Sequence, residues 1–138
     1  MFGYRSSYVF VIACLMLACV ASAAQNKGKQ QAKVETETVH TTFLVRDGKE
    51  AEFQKVYEKA FAAYLKFGMI FKQPHMLMRG EDEAGKIYFI EILTWKDHDK
   101  PDNAPAEVKA IWAQMEALCE RRGEHRGIEF EEVRVLQR

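Results

Sequence analysis

Cysteine is scarce in this 138-residue chain, and two of its three copies, Cys14 and Cys19, fall in the first two dozen residues. If that stretch is removed only Cys119 remains, which excludes an internal disulfide and a zinc site built from several thiolates. Cys119 then reads as a small buried helix residue or, alternatively, as an intermolecular disulfide partner. An excess of either charge is also missing, with 20 Lys and Arg against 20 Asp and Glu. That balance gives no electrostatic reason to invoke nucleic acid or an anionic membrane as partner. There is no HExxH pair, EF-hand loop, Gly-rich phosphate loop or serine nucleophile elbow. Asparagine occurs only as Asn26 and Asn103.

What is present begins with the pattern of a secretory signal over residues 1–23. Arg5 supplies a positive start, Tyr8 to Val20 an apolar stretch, and Ala21-Ser22-Ala23 a small-x-small cleavage site. This implies an exported protein, periplasmic or secreted. Met16-Leu17-Ala18-Cys19 loosely resembles a bacterial lipobox, which leaves open a lipid anchor at Cys19. Removal of residues 1–23 takes away Arg5 and no acid, leaving 19 basic and 20 acidic groups. Residues 24–33, polar and rich in Lys and Gln, read as a disordered linker. Residues 34–138 are enough for one small domain.

Within that domain the hydrophobic period alternates between two values. Val34 to Val45 repeats every second residue, with Val39, Thr41, Phe43 and Val45 on one face and His40, Thr42 and Leu44 on the other. Asp47-Gly48 marks a turn. Lys49 to Phe67 takes the helical period through Phe53, Val56, Tyr57, Ala60, Tyr64 and Phe67, and Gly68 is a natural stop. His75 to Arg79 is a short strand beginning at or beside Pro74. Gly80 to Gly85 is a polar hairpin connection into Lys86 to Trp95. A loop follows, then a helix from near Asn103 with Val108, Ile111, Trp112, Met115 and Leu118 at helical spacing and Gly123 as its cap. A last strand is expected from about Gly127 to Leu136, with Glu131-Glu132 at a bulge or exposed edge.

The order strand, helix, strand, strand, helix, strand is that of a ferredoxin-like α+β sandwich: a four-stranded antiparallel sheet with two helices on one face. Ile87 to Trp95 is nevertheless apolar on both faces, with Tyr88, Ile90 and Ile92 opposite Ile87, Phe89, Leu93 and Trp95. Two helices cover one face only, so a second copy of the chain is expected to pack on the other, giving a homodimer.

FIEILTW at Phe89 to Trp95, the polar loop after it and APAEVKAIWAQMEAL at Ala104 to Leu118 resemble the dimeric α+β barrel superfamily that includes the antibiotic biosynthesis monooxygenases. The resemblance extends over about Val39 to Val135. It implies a small-molecule pocket between sheet and helices and cofactor-independent oxidation of an electron-rich aromatic compound, with no metal. Trp95 matches the aromatic residue that often ends the third strand, and His40, Arg79, Tyr88 and Trp112 are available as substrate-binding residues. The asparagine used by many such enzymes has no counterpart on the first strand, where His40 and Thr42 stand. Haem-degrading relatives carry a haem-ligating histidine on the second helix, and this helix has none.

Glu91 is the one charge inside the apolar strand, and burying it alone would cost several kcal/mol, roughly. With His75 across the hairpin it forms an acid and imidazole pair suited to general acid/base work, expected to line a cavity of roughly several hundred Å³ with Trp95. The alternative is a structural ion pair of Glu91 with Arg79 or His75. Asp97-His98-Asp99 reads as a solvated loop, because a hard cation needs more converging oxygens.

Overall fold

The computed structural model describes residues 35–136. The expected signal, the lipobox at Cys19 and the linker lie outside the described residues. The elements run β1 (Glu37–Leu44), α1 (Glu50–Lys66), β2 (Met76–Glu81), β3 (Ile87–Trp95), α2 (Ala106–Ala117) and β4 (Ile128–Glu132). They build a single antiparallel sheet in the order β2-β3-β1-β4, the ferredoxin-like arrangement expected from the element order.

Alternation in β3 is strict: Ile87, Phe89, Glu91, Leu93 and Trp95 are buried and the residues between them half-buried. The buried set faces the helices. In β1 the matching set is Val39, Thr41 and Phe43, and the register places Thr41 directly opposite Glu91. The α1 helix supplies Phe53, Val56, Tyr57, Ala60, Ala63 and Tyr64. Phe53 stacks on Phe89 and tilts against Phe43, each at 5.1 Å between ring centres, and these rings form the middle of the core. Glu50 and Glu52 occupy the first turn of α1 and Lys66 its last, each matched to the helix dipole. Lys66 Nζ then reaches Glu107 at 2.8 Å and ties this end to the start of α2.

Several boundaries differ from expectation: the second strand runs on through Gly80 and Glu81 into the expected connection, and the second helix begins at Ala106. The second helix ends at Ala117, not near Gly123. Gly123 instead takes φ 60° in the turn between Arg122 and His125. Helical spacing stops being informative there because Cys119 bridges Val45 as strand-like backbone. The last strand stops at Glu132, where pairing with β1 runs out. Phe67 is about one-third exposed, because it lies past the last turn of α1.

Arg122 clamps the strand ends at this side of the sheet. Its Nη2 donates to the carbonyls of Val45 at 2.5 Å and Ile87 at 2.9 Å, and Nη1 pairs with Asp82 at 3.0 Å. On the face away from the helices, Met76 and Met78 of β2 are 49% and 43% exposed beside Ile90 and Ile92. Tyr88 lies on this face too, its ring covering Gly80 so closely that a Cβ there would sit 2.3 Å from the ring. Among the described residues no helix is long and apolar enough to cross a membrane.

Candidate functional site

Glu91 is held at the centre of the helix-facing sheet surface by its parity in β3, one residue out of step with Ile90 and Ile92. It is 3% exposed. A carboxylate there must find partners from α1 above or from the neighbouring strands. Tyr57, two turns into α1, donates its hydroxyl hydrogen to Glu91 Oε1. The same phenol oxygen lies 2.6 Å from His75 Nε2. His75 immediately precedes β2, and its ring stacks on Phe61 of α1 at 4.1 Å, which fixes its plane. Nε2 of His75 and Oε1 of Glu91 are 3.6 Å apart, within reach of the ion pair expected as the alternative but beyond a direct hydrogen bond, and the phenol bridges them.

One phenol has one hydrogen to give. With that hydrogen donated to Glu91, the 2.6 Å contact requires His75 Nε2 to carry a hydrogen and donate it to Tyr57. Burial, then the charge of Glu91 and the hydrogen bond to it, push the Tyr57 hydroxyl far above the ordinary phenol range. Tyr57 therefore stays protonated.

A cavity of about 730 Å³ opens beside this group between the sheet and α2. Glu91, Thr41 and Trp95 form part of its floor, and Tyr64, Trp112, Met115 and Phe130 contribute to its walls. Trp112 Nε1 donates to the Tyr64 hydroxyl at 2.5 Å, and Tyr64 meets Trp95 edge to face at 5.3 Å. Burial, followed by the Glu91 charge, raises the Tyr64 hydroxyl above its usual range, with the Trp112 bond acting the other way. The Tyr64 hydrogen has no acceptor among the described residues and is free for a ligand oxygen. Glu91 Oε2 is likewise unengaged, yet no buried polar side-chain atom is sealed without a partner among the described residues, so this oxygen borders the cavity.

Of the residues singled out in the sequence, Glu91, Trp95 and Trp112 border this cavity. His75 does not line it but joins Glu91 through Tyr57. Arg79 is exposed on β2 and makes no ion pair among the described residues. Tyr88 and His40 face away from the helices. His40 pairs with Glu131 at 3.3 Å beside a separate groove of about 460 Å³ on the β1–β4 side. Asp97, His98 and Asp99 do bring ligand atoms within 4.8 Å of one another, two of the three being exposed. Tyr57 and Tyr64 enter the sequence pattern as core residues alone, with no role at a site. The signal that could have found them is chemical: two tyrosines on the buried stripe of a helix each carry a hydroxyl that needs a partner.

No protein-family model matches the chain, and no curated protein does. Solved structures do. A variant of SnoaB, a cofactor-independent oxygenase from Streptomyces nogalater, is 21% identical and superposes with a TM-score of 0.56 over 75% of this chain and 95% of its own. A putative antibiotic biosynthesis monooxygenase from Caulobacter crescentus is 22% identical, with a TM-score of 0.54 over 74% and 91%. The chain has the fold of the antibiotic biosynthesis monooxygenase-like proteins. Rv0793 from Mycobacterium tuberculosis shares that fold at 12% identity, with a TM-score of 0.54 over 75% and 98%. At these identities the likeness speaks for the backbone, and the chemistry has to be argued from this chain's own side chains.

Proposed function

We propose that the chain is an exported acid/base enzyme on a small aromatic or carbonyl compound, working as a cofactor-independent oxygenase. The observation that carries this reading is Glu91: a buried carboxylate bordering a cavity of about 730 Å³, with one oxygen held by Tyr57 and the other open to the cavity. Such a group removes a proton from an activated carbon or hydroxyl of a bound substrate, and the surrounding aromatic walls suit a flat ring system. The Tyr64 hydroxyl donates to the oxygen on which negative charge gathers, and Trp112 holds Tyr64 in place. The resulting anion is electron-rich enough to reduce dioxygen. For a ring methylene the balance is one methylene and one dioxygen giving one carbonyl and one water. One oxygen atom enters the product, and the other leaves in the water with the two methylene hydrogens. That SnoaB is a cofactor-independent oxygenase supports placing this chemistry on this fold.

We place the working unit as a homodimer through the open sheet face. Support comes from Met76, Met78, Ile90 and Ile92, which no helix of the same chain covers among the described residues. Export rests on the residue pattern at 1–23.

Two probes test the reading. Oxygen uptake with an anthrone, a flat carbon acid, should exceed the buffer rate and fall roughly 100-fold or more in Glu91→Gln, the usual worth of a general base. Conversion of 5-nitrobenzisoxazole, which needs only proton removal, should fall in parallel. Activity on the second probe without oxygen uptake on the first would retain the base and remove the oxygenase. Equal rates for wild type and Glu91→Gln on both would leave a ligand-binding or structural module.

A further inference from the structure

Tyr57 bridges two titratable groups that share no direct hydrogen bond, one facing the cavity and one partly accessible. The His75 side chain is 16% accessible, against 4% for Glu91. Its second nitrogen, Nδ1, has no hydrogen-bond partner among the described residues and is not enclosed. A simple buried ion pair would hydrogen-bond imidazole to carboxylate directly, and at 3.6 Å these two do not. Here a phenol is interposed at hydrogen-bond distance from both, at the cost of burying a hydroxyl.

We propose that Tyr57 and His75 form a proton path joining the cavity carboxylate to bulk water. The proposal rests on the reading of Glu91 as the base that takes a proton from the ligand. Once protonated, Glu91 turns its O–H toward the Tyr57 oxygen, the His75 ring hydrogen moves from Nε2 to Nδ1 by exchange with water, and the Tyr57 hydroxyl turns toward the bared Nε2. The Glu91 proton passes to the phenol oxygen as the phenol's own proton passes to Nε2. Glu91 is left as carboxylate, Tyr57 as a neutral phenol and His75 as imidazolium, which loses the Nδ1 proton to water. No electrons move, and one proton has crossed from cavity to solvent. Tyr57 and His75 act through Glu91 and are positioning residues.

The groups facing this array are few. From α1 come Tyr57, Tyr64 and the uncharged Phe61, from β3 Glu91 itself, from β1 the uncharged Thr41 and from β2 the apolar Leu77, both opposite Glu91, and from α2 the Trp112 N–H by way of Tyr64. Among the described residues no lysine or arginine pairs with Glu91 or His75.

Nitrogen-resolved NMR of the full chain reads the array without a ligand, since only His40, His75, His98 and His125 contribute imidazole signals. Above the imidazole titration range, His75 in the wild type should carry its hydrogen on Nε2. In Glu91→Leu, which fills the site without offering an acceptor, Tyr57 should donate to Nε2 instead. The tautomer ratio should then shift toward Nδ1–H by roughly tenfold, the worth of one buried hydrogen bond. With Phe at position 57 the Glu91→Leu change should no longer move the His75 tautomer. An unchanged tautomer in Glu91→Leu overturns the path, as does a shift that persists in the Tyr57→Phe background, which would mean charge acting through space. If the tautomer responds as expected but Glu91→Gln alters neither probe reaction, the bridge is a fixed network with no proton to carry. That outcome overturns both the path and the reading beneath it.

Discussion

Removing the Tyr57 hydroxyl should destabilise the protein far more than removing it together with its partner. In Tyr57→Phe the ring still packs against Phe53 and Phe43, so no cavity forms. What is lost is the donor to Glu91 Oε1 and the acceptor for His75 Nε2, 2.6 Å away. A hydrogen bond to a charged group is worth about 1.5–3 kcal/mol and one to a neutral group about 1, so the single change should cost about 3 kcal/mol. For a domain of this size that lowers Tm by roughly 12 °C or more. Adding Glu91→Leu removes the stranded carboxylate, and replacing both members of a buried polar pair by apolar groups is often close to neutral. The double variant should therefore lie within about 1 kcal/mol of wild type. Urea unfolding of the four proteins of the cycle measures each difference. A double variant as unstable as the sum of the two singles, or a Tyr57→Phe protein as stable as wild type, would refute the reasoning. The expected result means that the fold has no need of the polar group at its centre.

Arg122→Lys should destabilise by about 2 kcal/mol in the same assay, because one ammonium cannot replace a fork that reaches both the Val45 and Ile87 carbonyls. The half-buried pair with Asp82 adds nothing to that figure. Burial pushes the Cys119 thiol up to about 12 against the opposing charges of Arg122 and Arg46, so at pH 8 a thiol reagent should modify native protein at least roughly 100-fold more slowly than protein in urea. The linkage has a definite sign: a thiol raised in the folded state favours folding fully below its unfolded value near 9, and that contribution is lost as pH rises toward 12. Cys119→Ala should therefore show a shallower alkaline loss of stability over that interval. Finally, Met78→Glu places a charge on the open sheet face, and light scattering should report a dimer for wild type and a monomer for the variant.

The backbone was legible because period-two and helical stretches alternate cleanly between Val39 and Leu118, and the changes of period are marked by Gly48, by Gly68 with Pro74, and by the polar loop that ends at Pro105. It became illegible between Leu118 and the last strand. There Cys119 and Arg122 are fixed by bridges and carbonyl contacts from β1 and β3, which no local spacing reveals. Glu91 stood out because a charge in an apolar strand has to be accounted for. Tyr57 did not, since a tyrosine in an amphipathic stripe satisfies the packing pattern whether or not its hydroxyl has work to do. The placement of Tyr88 away from the cavity was already contained in the alternation of β3, where it and Glu91 have opposite parity. Parity is a stronger guide to shared location than closeness in sequence.

The outermost strand of the sheet, β4, is only five residues long and carries Glu129, Glu131 and Glu132. A short strand lined with like charge is a poor template for another chain's backbone, since stacking two such rims sets carboxylates against carboxylates. The opposite rim begins next to Pro74 and carries Arg79 and Glu81 on another short strand. Association by adding strand to strand propagates without limit, because every added copy presents the same free rim again. With both rims blunted, the association proposed above is broad side to broad side, and an encounter of that kind is complete when two copies have met. In the proposed sheet-to-sheet dimer, the acidic rim would keep a protein with a greasy flank from growing into filaments.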